Sequence, residues 1–217
     1  MKTILCYGDS NTFGYNPTDG GRYAYDKRWT TILGKLLGNE YLVIPEGLNG
    51  RTTAFDRPES FFQNGYPYLA PCLTSHKPLD TVVIMLGTND CNVELGLAVS
   101  QIGEGMELLV KTVRDTCMSE QGFIPNIILV APAAVLPDYK GTPFEDQLDD
   151  KSIEKTHLLA GEYKKIADKY GCTLLDCTNA LEVSKLDCEH LTEAGHKQLA
   201  EMLYKTLKCD IVYTSLK

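Results

Sequence analysis

Ser10 stands in the stretch YGDSNTFGY (7–15), directly after the apolar run Ile4-Leu5-Cys6. Far downstream, LDCEHLTEAGH (186–196) places Asp187 three residues before His190. A serine hydroxyl is a weak nucleophile at neutral pH and needs a base that a third group holds in one tautomer. Asp187 and His190 supply that pair, with the carboxylate on one imidazole nitrogen and the other nitrogen facing Ser10. The chemistry implied is attack by Ser10 on an acyl carbon, which builds negative charge on an oxygen. Fixed N–H donors stabilise that charge, each typically by about 3 to 4 kcal/mol. The candidate donors are the backbone N–H groups of Ser10 and of Gly50, in EGLNGRTT (46–53), and the side-chain amide of Asn89, in LGTND (86–90). The first of these two stretches also holds Gly47, and the sequence alone leaves open which glycine N–H points inward.

For these residues to meet, the chain must bring several loops to one edge of a sheet. Short runs that are apolar on both faces predict buried parallel strands at Thr3-Tyr7, Tyr41-Pro45, Thr81-Leu86, Asn126-Ala131 and Thr173-Asp176. Helix-period segments alternate with them at Trp29-Leu37, Tyr66-Ser75, Leu97-Cys117, Lys151-Tyr170 and Thr192-Lys208. Gly38 and Gly171 mark helix ends, and Thr192 with Glu193 marks the start of the last helix. This alternation predicts an α/β fold: a three-layer α/β/α sandwich around a flavodoxin-like five-stranded parallel sheet of order 2-1-3-4-5. Ligands of such sheets bind at the carboxyl ends of the strands. In that order the loops bearing Ser10, Gly50 and Asn89 are neighbours. The His190 loop comes from strand five, roughly 14 Å away at the usual strand spacing, and the ten residues after Asp176 span about 33 Å when extended.

The 217 residues are expected to form a single domain, 1–217, with 43% hydrophobic and 23% charged residues. A net charge of −8 argues against nucleic acid as a partner, because a phosphate-binding face needs excess Lys and Arg. There is no apolar run of membrane-span length and no signal-peptide pattern at the start. The eight cysteines form no CxxC pair, so reduced thiols and a cytoplasmic location are expected. At the other end, Ile211-Val212-Tyr213 reads as an edge strand or a subunit contact of a homo-oligomer.

Four blocks, GDSN (8–11), NGRT (49–52), GTND (87–90) and DCEH (187–190), resemble in order and placement those of the SGNH hydrolases, the GDSL esterases and lipases. RW (28–29), PLD (78–80) and IMLGTND (84–90) are similar to the arylesterase and acyltransferase branch. The resemblance implies Ser10 as nucleophile, His190 as general base and acid, and Asp187 as its orienter, with Ser10, Gly50 and Asn89 as the oxyanion hole. It selects Gly50 over Gly47, since the family's glycine is usually followed two residues on by Thr, here Thr52. It departs in having Leu191 where the family usually has proline. The expected activity is hydrolysis of carboxylic esters of short acyl, aryl or carbohydrate alcohols, with acyl transfer to alcohols in some relatives. Lysophospholipase or thioesterase chemistry is the alternative within the class.

Around this constellation, Phe13 and Tyr15 are expected to line an acyl pocket, and loop 131–147 to form one wall. Trp29 reads as a helix anchor, Asp9 and Asp90 as structural acceptors, and His196 as a surface residue. No cofactor is expected. A two-metal phosphoesterase needs an early Asp-x-His and a late Gly-His-x-His pair, which are missing, and four histidines are too few; no metal is expected. A non-catalytic flavodoxin-like module would need a helix opening at a phosphate loop, whereas the first helix is expected only at Trp29.

Overall fold

The computed structural model describes residues 1–58 and 60–214, including their side chains except at 61 and 209–214. Strands β1 (Lys2–Gly8), β2 (Tyr41–Gly47), β3 (Thr81–Met85), β4 (Asn126–Ala131) and β5 (Thr173–Asp176) form one parallel sheet in the order β2-β1-β3-β4-β5. Strand identities and order are those expected from the two-faced apolar runs.

Alternation along each strand distributes side chains to two helical layers. Leu5 and Tyr7 of β1 pack with Val82, Ile84, Ile127 and Leu129 beneath α3 (Gly65–His76), α4 (Val99–Gln121) and α5 (Asp150–Tyr170). Ile4 and Cys6 face the other way, with Val83, Met85, Ile128 and Val130, beneath α2 (Trp29–Leu37) and α6 (Glu193–Thr214). The edge strands depart from the expectation of full burial. β2 is only part-buried, with Leu42 42% exposed, because helices cover the sheet margin incompletely.

Three corrections concern local structure. A four-residue helix, α1 (Ser10–Phe13), opens directly after β1, capped by the Asp9 carboxylate, which accepts the Asn11 N–H, and ended by Gly14 in the left-handed conformation. One turn is too short to show a period, so the helix expected first at Trp29 is in fact the second, and the case against a phosphate-binding module on that ground lapses. His196 is fully buried rather than on the surface: its Nδ1 accepts the Trp29 N–H at 3.3 Å, and its ring meets Tyr23 edge-on at 5.2 Å. It lies on the inner stripe of α6 with Leu199, Leu203 and Leu207. Finally, no glycine or proline between Lys197 and Thr214 interrupts α6, and the backbone at 211–214 is helical rather than an edge strand. The subunit contact expected there falls on side chains outside those described.

The expected caps are in place, with the Gly38 and Gly171 N–H groups bonded to the Gly34 and Ala167 carbonyls and Thr192 Oγ1 accepting the Gly195 N–H. The cysteines placed, Cys6, Cys72, Cys91, Cys117, Cys172, Cys177 and Cys188, are all free thiols. Among the described residues no helix is long and apolar enough to cross a membrane.

Candidate active site

Because β1 is the sheet's second strand, its carboxyl end carries Ser10 between the loops that follow β2 and β3. Ser10 begins α1, and its carbonyl accepts the N–H groups of Gly14 and Tyr15. The loop after β2 is fastened to β1 by Arg51, whose buried guanidinium donates to the carbonyls of Gly8 and Glu46 and lies over the Tyr7 ring at 4.2 Å. Asp90, after β3, accepts both the N–H and the hydroxyl of Thr53. Burial pushes Asp90 up to about 6 despite those bonds, and Asp9 up to about 7 despite the Asn11 N–H. Both are the structural acceptors expected.

The two glycines, Gly47 at the end of β2 and Gly50 in the loop after it, separate cleanly. A Cβ on Gly47 would lie 2.1 Å from the Phe13 backbone nitrogen, so Gly47 permits α1 to pack on β2. Gly50, at φ +75°, lines the cavity with Ser10 and Asn89. Arg57 donates to Asn89 Oδ1 at 3.4 Å, while Asn89 Nδ2 donates to the Arg51 carbonyl at 3.1 Å. A primary amide has two N–H groups, so with its oxygen held by Arg57 and one N–H by Arg51, the second remains for a ligand.

On the other side, His190 Nε2 lies 2.8 Å from Ser10 Oγ, and His190 Nδ1 lies 2.8 Å from Asp187 Oδ2. Asp187 Oδ1 accepts the backbone N–H groups of Glu189 and His190, which shapes the tight loop. Burial opposes the charge of Asp187, but the His190 hydrogen bond and charge and these N–H groups outweigh it and hold its carboxyl below the usual range. Burial likewise opposes protonation of His190, yet the Asp187 hydrogen bond and the charges of Glu189, Asp187 and Asp9 raise it above its ordinary value.

The loop is held from outside by Asn11, whose Oδ1 accepts the Leu191 N–H at 2.9 Å, and by the Ser184 N–H on the His190 carbonyl. The His190 ring is flanked by Tyr15, 4.1 Å between centroids, and by Phe144 at 5.5 Å.

These groups open into a cavity of about 500 Å³. Tyr15 lines it, and loop 131–147 contributes Phe144 and Gln147. Phe13 is not among the lining residues: its ring lies under the Arg22 guanidinium at 4.1 Å, and its carbonyl accepts from Arg22. Trp29 is in the core, 1% exposed. The rest of the lining, including Asn49, Arg57, Gln63, Glu94 and Glu189, is polar. Sequence reasoning missed Asn11, Arg51 and Arg57, whose partners are distant along the chain.

Away from the cavity, the donor atoms of Glu46, Cys72 and His76 lie within 4.8 Å of one another. His76 Nε2 is already hydrogen-bonded to Glu46 Oε1 at 2.9 Å, and burial pushes the Cys72 thiol up to about 12. The trio is thus a hydrogen-bonded pair beside a neutral thiol.

Comparison with known proteins gives one consistent result. The profile of the GDSL-like lipase/acylhydrolase family matches residues 6–198. A carbohydrate acetylesterase from Sinorhizobium meliloti is similar at 33% identity and a TM-score of 0.89, over 96% of this chain and 99% of that one. The aryl esterase of M. smegmatis is similar at 35% identity and a TM-score of 0.89, with the same coverage of 96% and 99%. A curated acetylxylan esterase from Xylanibacter ruminicola is 26% identical over 226 residues, covering 94% of this chain but 43% of that protein, so the chain spans less than half of that relative's length. The chain therefore belongs to the GDSL-like lipase/acylhydrolase family, the SGNH hydrolases, a family of carboxylic ester hydrolases.

Proposed function

We propose that the protein hydrolyses short-chain acyl esters through a covalent acyl-enzyme on Ser10. The observation that carries this reading is the continuous relay from Asp187 Oδ2 through His190 to Ser10 Oγ, with 2.8 Å at each step. Ser10 Oγ bonds to the acyl carbon as its proton passes to His190 Nε2, and the developing oxyanion meets the N–H groups of Ser10, Gly50 and Asn89. His190 then protonates the departing alcohol. Water, deprotonated by the same nitrogen, breaks the acyl–Ser10 bond and restores the hydroxyl; an alcohol in its place gives acyl transfer.

The polar cavity favours a small acyl group on a polar alcohol over a long lipid chain. The similarity to a carbohydrate acetylesterase and an aryl esterase points the same way. Free thiols at every cysteine placed suit a reducing compartment such as the cytoplasm.

A panel of p-nitrophenyl esters of rising chain length, with acetylated xylose beside it, tests the reading. Acetyl and butyryl esters are expected to turn over fastest, a fluorophosphonate to label Ser10, and Ser10→Ala to lose roughly a thousandfold or more in kcat. Full activity in Ser10→Ala would mean that another residue is the nucleophile, whereas no labelling of Ser10 together with no turnover of any ester would favour a non-catalytic binding module.

A further inference from the structure

Glu189 stands between Asp187 and His190 but takes no part in their relay. Its backbone N–H is held by Asp187 Oδ1 at 3.2 Å, and the residue is only 6% exposed. Its carboxylate accepts no hydrogen bond from any described residue, yet it lines the same cavity as Ser10 and His190. The other buried carboxylates turn toward the fold: Asp90 accepts from Thr53 and Asp187 from three groups of its own loop, while Asp9 accepts the Asn11 N–H through Oδ1 and keeps Oδ2 buried without a partner, away from the cavity lining. The Glu189 carboxylate therefore faces the cavity with its oxygens free to accept from a donor on a bound molecule.

The rest of the wall limits what that donor is. Arg57, the cation of the cavity lining, is already engaged by Glu94, Gln147 and Asn89 Oδ1. With Glu94 and Glu189 against Arg57, the wall carries an excess of negative charge and repels an anionic substrate. Tyr15 and Phe144 offer flat apolar faces on the His190 side. A neutral polyhydroxy ring fits both features, with hydroxyl donors for the carboxylate and C–H faces for the aromatics.

We infer that Glu189 is a specificity-determining residue that accepts a hydroxyl of a sugar-like alcohol whose acyl ester Ser10 attacks. The inference rests on the acyl-enzyme reading above and adds the alcohol that the site selects.

The test compares kcat/KM of the wild type, Glu189→Gln and Glu189→Leu on acetylated xylose, p-nitrophenyl acetate and acetylcholine, each at the plateau of its pH profile. The plateau removes the influence of the Glu189 charge on His190. The ratio of sugar ester to aryl ester is expected to fall roughly ten- to a hundredfold in Glu189→Leu, the size of a lost hydrogen bond to a charged group, mostly through KM. Glu189→Gln keeps an acceptor oxygen and is expected to lose less.

An unchanged ratio, with both esters falling together, would mean that Glu189 acts only through His190 and would overturn the inference. So would a loss confined to acetylcholine, which would make Glu189 a reader of ammonium groups, or a wild type inactive on the sugar ester. Retention of all activity in Ser10→Ala would instead remove the acyl-enzyme reading itself, whatever Glu189 does.

Discussion

The side-chain oxygen of Asn11 accepts the backbone N–H of Leu191 at 2.9 Å, across 180 residues of sequence. This one bond ties α1, which bears Ser10, to the loop that bears His190. Both partners are buried, and Ser10 and His190 each lie one residue away from it.

Asn11→Ala leaves the buried Leu191 N–H without an acceptor, a loss of about 1 to 3 kcal/mol. The larger effect is expected on chemistry, since a displacement on the order of 1 Å between nucleophile and base costs roughly a hundredfold. The expected outcome is a kcat lower by roughly ten- to a hundredfold with KM nearly unchanged. Steady-state kinetics beside thermal unfolding separates this from simple destabilisation. A variant that unfolds earlier but keeps its kcat at low temperature would show that the bond supports the fold and not the site.

How far the sequence reached follows from the range of each interaction. The strands were legible because burial on both faces leaves little room for polar residues. The candidate constellation was legible by position: Ser10 and Asn89 stand just past apolar runs, and Asp187 and His190 lie three residues apart just before the last helix. Arg51 and Arg57 were not: a guanidinium that spans two carbonyls and an aromatic ring, or that turns the amide of Asn89, is defined by partners that only folding brings near. Phe144 replaced Phe13 at the cavity for a similar reason, since the path of loop 131–147 is set by tertiary packing. His196 is different. The stripe Leu199, Leu203, Leu207 extends back one turn to position 196, so its burial was readable, and the histidine's polarity outweighed a pattern that was already present.

The pH profile of the enzyme should bear the mark of the buried carboxylates. In the proposed mechanism His190 must be neutral to take the Ser10 proton, so activity is expected to be absent at low pH and to rise as His190 deprotonates. Burial acts to lower its pKa, but Asp187, Glu189 and Asp9 together raise it above the ordinary 6.5. The midpoint of kcat/KM for a p-nitrophenyl ester is therefore expected above that value, and Asp187→Asn should move it down while also reducing the plateau. A wild-type midpoint well below about 6 would show that desolvation dominates.

His196 gives the opposite sign, and it is read in stability rather than activity. Burial, with the nearby His190 charge, lowers its pKa from 6.5 to about 4, so the folded protein holds it neutral while the unfolded chain takes up a proton. Its contribution is fully present above pH 6.5 and is lost as pH falls toward 4. Between pH 7.5 and pH 5 the loss is about 2 kcal/mol. Asp9 and Asp90, whose folded values are raised to about 7 and about 6, act in the other sense as pH falls. The informative measurement is accordingly a difference: unfolding free energy against pH for the wild type and for His196→Gln, which can still accept the Trp29 N–H. The wild type should lose about 2 kcal/mol more than the variant over that interval, and parallel curves would contradict the buried neutral histidine.

Two glycines offer a paired test of how the sheet positions Ser10. A Cβ at Gly47 would lie 2.1 Å from the Phe13 nitrogen and 2.5 Å from the Thr12 carbonyl carbon, both backbone atoms of α1 that have no rotamer to yield. Gly47→Ala must therefore push α1 away from β2, at a cost of about 1 to 3 kcal/mol for overpacking, and Ser10 moves with it. At Gly161, within α5, the same Cβ meets nothing within 4 Å, and alanine there should stabilise the helix by up to about 1 kcal/mol. Esterase activity per folded molecule is expected to fall sharply in Gly47→Ala and to persist in Gly161→Ala. If both variants retained full activity, the close packing of α1 on β2 would not be what holds Ser10 in line with His190.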